Sequence, residues 1–201
     1  FCGRLEGADQ SGVLTVWYGN PGAETTSDGS AAYLLFDHFD GDALDTETWI
    51  VDAGTPNVGG GTVKMPLTSE ATIRSRATFT DALVESRWHR MTGSSNPEVD
   101  TIVRATDATH YYQAFALTPS CKQKMYRRVS NTFTVISTEV SFPSTSDAWY
   151  TQRVKCVGST IQSTIGSSIT TATDATYPSG SIGLKSNTGY EFDYVLVRAY
   201  T

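Results

Sequence analysis

The chain predicts an all-β fold, an antiparallel two-sheet sandwich with a strand segment appended at its N-terminus. Three observations carry that reading. Short runs of β-forming residues recur at steady intervals with turn clusters between them, as in sandwiches and barrels. The closing run, Gly189 to Tyr200, sets Phe192, Tyr194 and Leu196 against Asp193, Val195 and Val197, the period-2 signature of a strand. The opening run, Phe36-Asp37-His38-Phe39-Asp40-Gly41 followed by Leu44-Asp45 and Trp49, matches it in length and polarity. Head and tail can therefore pair and close the sandwich.

Composition agrees. The 201 residues are 39% hydrophobic and 18% charged, with seven prolines, enough for one sizeable core in a folded, loop-rich β protein. The net charge of -6 disfavours a phosphate backbone as partner, because such binding rests on clustered Lys and Arg. No apolar run approaches the roughly 20 residues of a membrane helix. The opening Phe1-Cys2-Gly3-Arg4 has neither initiator Met nor signal peptide and reads as a processed or excised end, as in a mature secreted chain. Secretion or the cell surface is the expected location.

In chain order, Val13 to Tyr18 reads as a strand stopped by Gly19-Asn20-Pro21-Gly22, and Glu24 to Ser30 as polar linker. Residues 1–32 thus form an N-terminal strand and linker segment, and 33–201 the main module. After Trp49 and Val51, the loop Gly54 to Gly61 leads to strands at Thr62–Met65, Ala71–Arg76 and Leu83–Arg90. Gly93 to Pro97 is a turn cluster. Strands follow at Thr101–Arg104 and Tyr111–Leu117, separated by Asp107. Lys124–Val129 turns at Ser130-Asn131 into Phe133–Ile136, and Trp149–Lys155 pairs with Thr160–Ile165. No long helix is expected; Thr46 to Thr48 allows a single turn.

These motifs carry a resemblance. The order Phe-Asp-x-Phe-Asp-Gly, Leu-Asp, Trp49, then Gly180-x-Ile182-Gly183-Leu184 and Phe192-Asp193-Tyr194-Val195-x-Val197 resembles the concanavalin A-like lectin/glucanase (laminin G-like) jelly roll, over roughly Tyr33 to Thr201. Leu14 to Pro21 resembles the tail of an uncharacterised β domain that precedes laminin G-like modules in prokaryotic surface proteins. A lone hairpin is marginal in water. That tail must lean on the jelly roll, or complete a sheet in a neighbouring copy by donor-strand complementation.

The resemblance implies a structural calcium tying the first strand to the last. Its ligands carry over to the carbonyl of His38, a carbonyl at Gly60 or Gly61, and the carboxylate of Asp193, hard oxygens of the kind calcium accepts. The simpler reading has Asp193 hydrogen-bonding the first strand. The resemblance also implies that Trp49 and Trp149 are core anchors. Glucanases of the similar fold carry Glu-x-Asp-x-x-Glu, two acids of which serve retaining hydrolysis. The nearest match, Glu98-Val99-Asp100, lacks the third acid, with Val103 and Arg104 in its neighbourhood, and Pro97 draws Glu98 toward a turn. No catalytic residue is therefore assigned.

Sugars are held by aromatic platforms and planar polar groups. Alternation along Leu83–Arg90 sends Val84, Ser86 and Trp88 to the core and Glu85, Arg87 and His89 to the open face, where Arg104, Gln113, Tyr126 and Arg128 are expected to join them. The plain alternative is a solvated face of cross-strand charge pairs. His38, His89 and His110 have no metal or triad spacing. Cys121 and Cys156 can pair, leaving Cys2 spare or bridging to another chain; equally, all three can be idle thiols.

The function expected is a non-catalytic, lectin-like module of a secreted or surface protein, binding glycan or serving adhesion. The alternative is a structural subunit of an extracellular filament or surface assembly, with residues 1–32 as donated strand and Cys2 as crosslink. Glycoside hydrolysis ranks last.

Overall fold

A computed structural model describes residues 29–94, 97–118, 120–143 and 147–200. The expected strand at Val13–Tyr18, its docking place and Cys2 lie outside the described residues. A helical turn, α1 (Gly29–Ala32), precedes β1 (Leu35–Asp37), β2 (Trp49–Ala53), β3 (Asn57–Val58), β4 (Val63–Lys64), β5 (Ala71–Phe79) and β6 (Ala82–Arg90). Then come β7 (Glu98–Asp107), β8 (His110–Leu117), β9 (Lys122–Val129), β10 (Thr132–Val135) and β11 (Val140–Ser141). The chain closes through β12 (Trp149–Val157), β13 (Thr160–Ile165), β14 (Ser168–Thr173), β15 (Gly180–Ser186) and β16 (Tyr190–Ala199).

The strands form two antiparallel sheets packed face to face. Sheet A runs β14-β13-β12-β6-β16-β4-β3 with β1 also on β16; sheet B runs β10-β9-β8-β7-β15-β5-β2 with β11 on β9. Every strand expected between Thr62 and Ile165 is present, and the pairings expected for β9 with β10 and for β12 with β13 hold. Head and tail meet as expected, Leu35 opposite Val197 and Asp37 opposite Val195. β2 and β15 fall on residues singled out in the sequence but not drawn there as strands, and three short strands were not expected at all: β3 inside the Gly54–Gly61 loop, β11, and the Ser/Thr-rich β14, whose Thr170 and Ala172 face inward and are buried. Among the described residues no helix is long and apolar enough to cross a membrane.

The turn expected at Thr46–Thr48 forms because Asp45 caps it. Its Oδ1 accepts from Glu47 N at 2.9 Å and its Oδ2 from Thr48 Oγ1 at 2.6 Å, the usual way a short polar side chain satisfies free backbone donors. The turn delivers Trp49 to the core, where its indole N–H donates to Asp37 Oδ2 at 2.6 Å. With Trp88, Tyr112, Tyr190, Phe192 and Met65 it fills the space between the sheets.

The core is not wholly apolar. A chain of side-chain hydrogen bonds crosses it from sheet to sheet. Ser86 Oγ on β6 meets Thr101 Oγ1 on β7 at 2.8 Å, and Thr101 Oγ1 donates to Gln152 Oε1 on β12 at 2.8 Å. Gln152 Nε2 donates to Ser163 Oγ at 3.0 Å and to Ala114 O at 3.2 Å. Ser163 Oγ donates on to Gln123 Oε1 at 3.0 Å, and Gln123 Nε2 to Ser168 O at 2.9 Å. All five of these polar side chains are fully buried, so each needs its partners.

The pairing of Cys121 with Cys156 does not occur: both are free, buried thiols. They sit at opposite ends of the sandwich. Cys121 bonds Thr118, whose hydroxyl meets Tyr190 OH, which in turn donates to Pro97 O at the start of β7. Cys156 lies near Gly158, which is held by Arg104 at the far end of that strand's regular part. Seven residues at about 3.3 Å each separate those ends by roughly 20 Å, whereas a disulfide needs Cα atoms within about 7 Å.

Two outcomes follow from this architecture. Gln152→Leu keeps volume but strands Thr101 and Ser163, and should lower unfolding free energy by about 2–4 kcal/mol in urea titrations; a change below about 0.5 kcal/mol would deny the chain its role. Burial pushes the Cys156 thiol up to about 12, so it should resist iodoacetamide in the native protein. Peptide mapping without reductant should find both Cys121 and Cys156 alkylated once the protein is denatured, and a Cys121–Cys156 crosslinked peptide would contradict the fold.

Candidate functional site

The β6 residues behave as alternation requires. Val84, Ser86 and Trp88 are buried between the sheets; Glu85, Arg87 and His89 emerge on the outer face of sheet A. Their neighbours come from β12 and β16, with Trp149, Thr151 and Arg153 opposite His89, Arg87 and Glu85. Each charge there is matched. Arg87 holds Asp193, and Glu85 accepts from Arg153 Nε at 2.6 Å and from Tyr194 OH at 2.6 Å. His89 lies between Glu191, 3.0 Å from Nδ1, and Asp147, 2.9 Å from Nε2.

The other four expected ligand residues do not join this face. Arg104, Gln113, Tyr126 and Arg128 sit on β7, β8 and β9, all in sheet B. The chain crosses between sheets at each step from β5 through β6 to β7, so neighbours in sequence are not neighbours in the sheet. Arg104 has no open face at all. It occupies a bulge with φ of 52°, is 2% exposed, and donates to the carbonyls of Gly158 and Thr80 and to Asp81 Oδ1. It is a clamp on the loops at that end.

Trp149 also departs from expectation. Trp49 is a core anchor at 1% exposure, but Trp149 is 36% exposed on sheet A's outer face. Parity explains it: Gln152, Val154 and Cys156 of β12 point inward, so Trp149, Thr151 and Arg153 point out. Alternation read along Trp149–Lys155 contains that signal.

Gln113, Tyr126 and Arg128 do come together, on the outer face of sheet B. Cross-strand rows can be read from the register. One runs Arg74–Gly183–Ile102–Gln113–Tyr126–Val135. A second runs Lys185–Asp100–Phe115–Lys124, and a third Tyr111–Arg128–Phe133. Arg128 lies over both Tyr111 and Phe133, 5.3 and 5.1 Å from the ring centres, while Lys124 lies over Phe115 and Tyr126. Tyr126 meets Phe115 and Phe133 edge to face. The rings form an aromatic and cationic strip that rises from buried Tyr111 to Phe133, 45% exposed at the sheet edge. At its inner end two buried acceptors, Gln113 Oε1 and Asp100 Oδ1, have no hydrogen-bond partner among the described residues. Sequence reading missed Tyr111, Phe115 and Phe133, although the parity of Gln113 on β8 points to the first two.

Glu98 is in strand rather than turn, the first residue of β7, and shares its face with Asp100. Both converge on Lys185 Nζ, at 3.5 and 3.3 Å, along with Glu70 at 3.3 Å and Asn187 Oδ1 at 2.9 Å. Burial is the largest influence on Asp100 and pushes its carboxyl up, against the pull of the Lys185 ammonium. Burial works against the charge of Lys185 too, but the carboxylates of Asp100, Glu98 and Glu70 outweigh it and keep it protonated. At the position of the missing third acid, Val103 is buried in the core.

The three expected calcium donors fall at one gap in sheet A. β1 leaves β16 after Asp37 opposite Val195, and β4 meets it at Val63 opposite Phe192. Asp193 lies between them as the extra residue of a bulge, since Phe192 pairs with Trp88 and Tyr194 with Arg87. His38 follows β1 into this gap, its ring turned to Asp40 at 3.0 Å. The Gly59–Gly61 turn enters β4, with φ of 69° and 75° at Gly60 and Gly61. Two carbonyls and a carboxylate suit calcium in kind, although the one carboxylate is already balanced by Arg87. Among the described residues no three His, Cys, Asp or Glu side chains gather to hold a metal.

Comparison with known proteins bears on the fold. A family model described as a domain of unknown function (DUF2341) matches residues 1–52, a stretch that runs past the N-terminal segment through β1 into β2. No curated protein matches. Among solved structures the chain is similar to the carbohydrate-binding module CBM66 from Bacillus subtilis, with TM-score 0.69, 19% identity, and coverage of 78% of this chain and 99% of that one. It is similar to a Bacillus subtilis protein of unknown function with a galectin-like fold, with TM-score 0.65, 12% identity, and coverage of 83% and 95%. It is also similar to a Bacillus licheniformis β-glucanase, with TM-score 0.59, 14% identity, and coverage of 83% and 98%. At such identities the likeness establishes the jelly-roll sandwich and leaves activity to the residues themselves.

Proposed function

We propose that this jelly roll is a carbohydrate-binding module without catalytic action, and that it takes glycan along the outer face of sheet B. The observation that carries this is the aromatic and cationic strip that rises to the sheet edge, where Arg128 lies over Phe133 and Tyr126 meets that ring edge to face. Phe133 is 45% exposed there, open to a sugar laid along the strip. Tyr126 and Phe133 supply apolar faces for sugar C–H groups, and Arg128 supplies a planar hydrogen-bonding group. The Bacillus subtilis carbohydrate-binding module of similar fold supports the reading.

A β-glucanase shares the fold as well, so the case against hydrolysis rests on chemistry. Retaining hydrolysis needs a nucleophile and an acid, about 5 Å apart, both open to the glycosidic bond. Here Asp100 is fully buried and Glu98 is tied to Lys185 and Asn187. A secreted or cell-surface location, and a part in adhesion, accord with glycan binding. The rival reading, a filament or surface-assembly subunit that donates a strand, rests on residues that lie outside the described ones.

Calcium at the Asp193 gap belongs to this proposal as a structural ion. It would share the Asp193 carboxylate with Arg87, whose bond is to Oδ2, and join it to the carbonyls of His38 and Gly61, fastening β1 and β4 to β16. Chelation would then loosen the place where the two ends of the module meet.

Affinity electrophoresis against soluble β-1,3-glucan, xylan and galactomannan should show retardation by at least one. Tyr126→Ala or Phe133→Ala should weaken it about ten-fold with little change in melting temperature, and reducing-end assays should stay flat. No retardation by any glycan, or release of reducing ends, would sink the reading. Separately, millimolar calcium should raise the melting temperature by several degrees over the chelated protein. Asp193→Asn should abolish that difference, and equal melting with calcium and with chelator would remove the ion from the account.

A further inference from the structure

Trp149 stands on the outer face of sheet A, on the opposite side of the molecule from the aromatic strip. Its ring is braced on one side only. β12 lies between β6 and β13, and from the β6 side Arg87 lies 5.0 Å over the ring while the His89 imidazole tilts against it at 5.2 Å. His89 is itself fixed between Glu191 and Asp147, and Arg87 by Asp193. The platform is therefore rigid before any ligand arrives, which limits the ordering cost of binding.

From the other side the ring opens onto a depression of about 300 Å³, walled by Thr151 and Arg153 of β12, Ile165 and Gly166 at the end of β13, and Pro143. That is room for one or two sugar rings, and small-molecule sites begin near this size. Gly166 turns there with φ of 59°, and a Cβ at that position would stand 3.7 Å from Pro143, so the far wall is close and low.

Charge on this face selects among sugars. The cations beside the ring are spoken for, Arg87 by Asp193, Arg153 by Glu85 at 2.6 Å, and His89 by two carboxylates, while Lys155 and Arg198 lie toward the other end of β12 and β16. An acidic sugar would have to break one of these pairs, and a neutral one would not. We infer that Trp149 and the adjoining depression form a second glycan site, for a neutral sugar that stacks on the indole and hydrogen-bonds Thr151 and Arg153. The site shares no residue with the sheet B strip, so one chain would engage two glycan strands from its two outer faces. It stands or falls independently of the strip.

Fluorescence separates the two sites. Among the described residues Trp49 and Trp88 are buried, whereas Trp149 is placed to respond to a sugar stacking on it; Trp17 lies outside them, and every arm carries Trp17→Phe. Titration of the full chain with soluble β-1,3-glucan, xylan and galactomannan, beside polygalacturonate, should shift the emission with at least one neutral polymer. The Tyr126→Ala variant should keep the shift; Trp149→Ala should lose it and weaken the residual binding about ten-fold. Trp149→Phe, which keeps a ring, should bind at an intermediate level, and equal melting temperatures would exclude misfolding. The inference is overturned if Trp149→Ala binds every polymer as the parent does, or if Tyr126→Ala alone removes both binding and shift. Tighter binding of polygalacturonate than of any neutral polymer overturns the neutral-sugar assignment.

Discussion

The two sheets are held in register by the buried hydrogen-bond chain from Ser86 through Thr101, Gln152 and Ser163 to Gln123. Apolar packing is non-directional and would let one sheet slide over the other. A glutamine that must meet Thr101, Ser163 and the Ala114 carbonyl at once admits only one offset. The chain also ties β6 and β12 of one sheet to β7, β8 and β9 of the other. Those same strands carry, on their outward sides, Trp149 and His89 on one face and Gln113 and Tyr126 on the other. The inner polar contacts thus fix the positions of the outer aromatic groups, although none of them reaches the surface.

Much of this was legible in the sequence, and the limits have a physical cause. Period-2 alternation located the strands and the correct parity of β6, because each strand has one buried and one solvated side. The matched head and tail runs located the pairing of β1 with β16. Sheet membership was not legible. A strand's own residues report which side is buried and not which strand lies beside it, so Arg104, Gln113, Tyr126 and Arg128 were grouped with Glu85 across a gap the width of the core. The polar chain was hidden for a related reason: parity can turn Gln152 and Ser163 inward, but it does not say which polar groups on the other sheet they meet. Cys121 and Cys156 failed on the same point, since proximity to predicted strands says nothing about which end of the sandwich each thiol occupies.

Resemblance and alternation conflicted at Trp149, and alternation was the better guide. Family anchors transfer only where the receiving strand has the matching parity. Trp49 has it, being delivered by the Asp45-capped turn into the space under Asp37. Trp149 sits on the same side of β12 as Thr151 and Arg153, and the core position is taken by Tyr150, which packs on Trp88 at 4.9 Å. One residue of offset therefore moves a large ring from the interior to the surface.

The outer faces also differ in how they treat charge, and that difference separates binding from hydrolysis. On sheet A the ions are partly exposed and paired across strands, an arrangement worth little in stability but sufficient to hold a ring still. On sheet B, Asp100 and Lys185 are buried together with Glu98 and Glu70 beside them. The Lys185 ammonium draws Asp100 toward its charged form, but burial outweighs it and pushes that carboxyl up. A glycosidase acid must also be open to the leaving oxygen, and Asp100 is fully buried. Removing Lys185 would leave buried carboxylates without a counter-ion, a loss of several kcal/mol. The lysine thus ties the start of β7 to the neighbouring β15 and engages both members of the nearest match to the glucanase acids, Glu98 and Asp100.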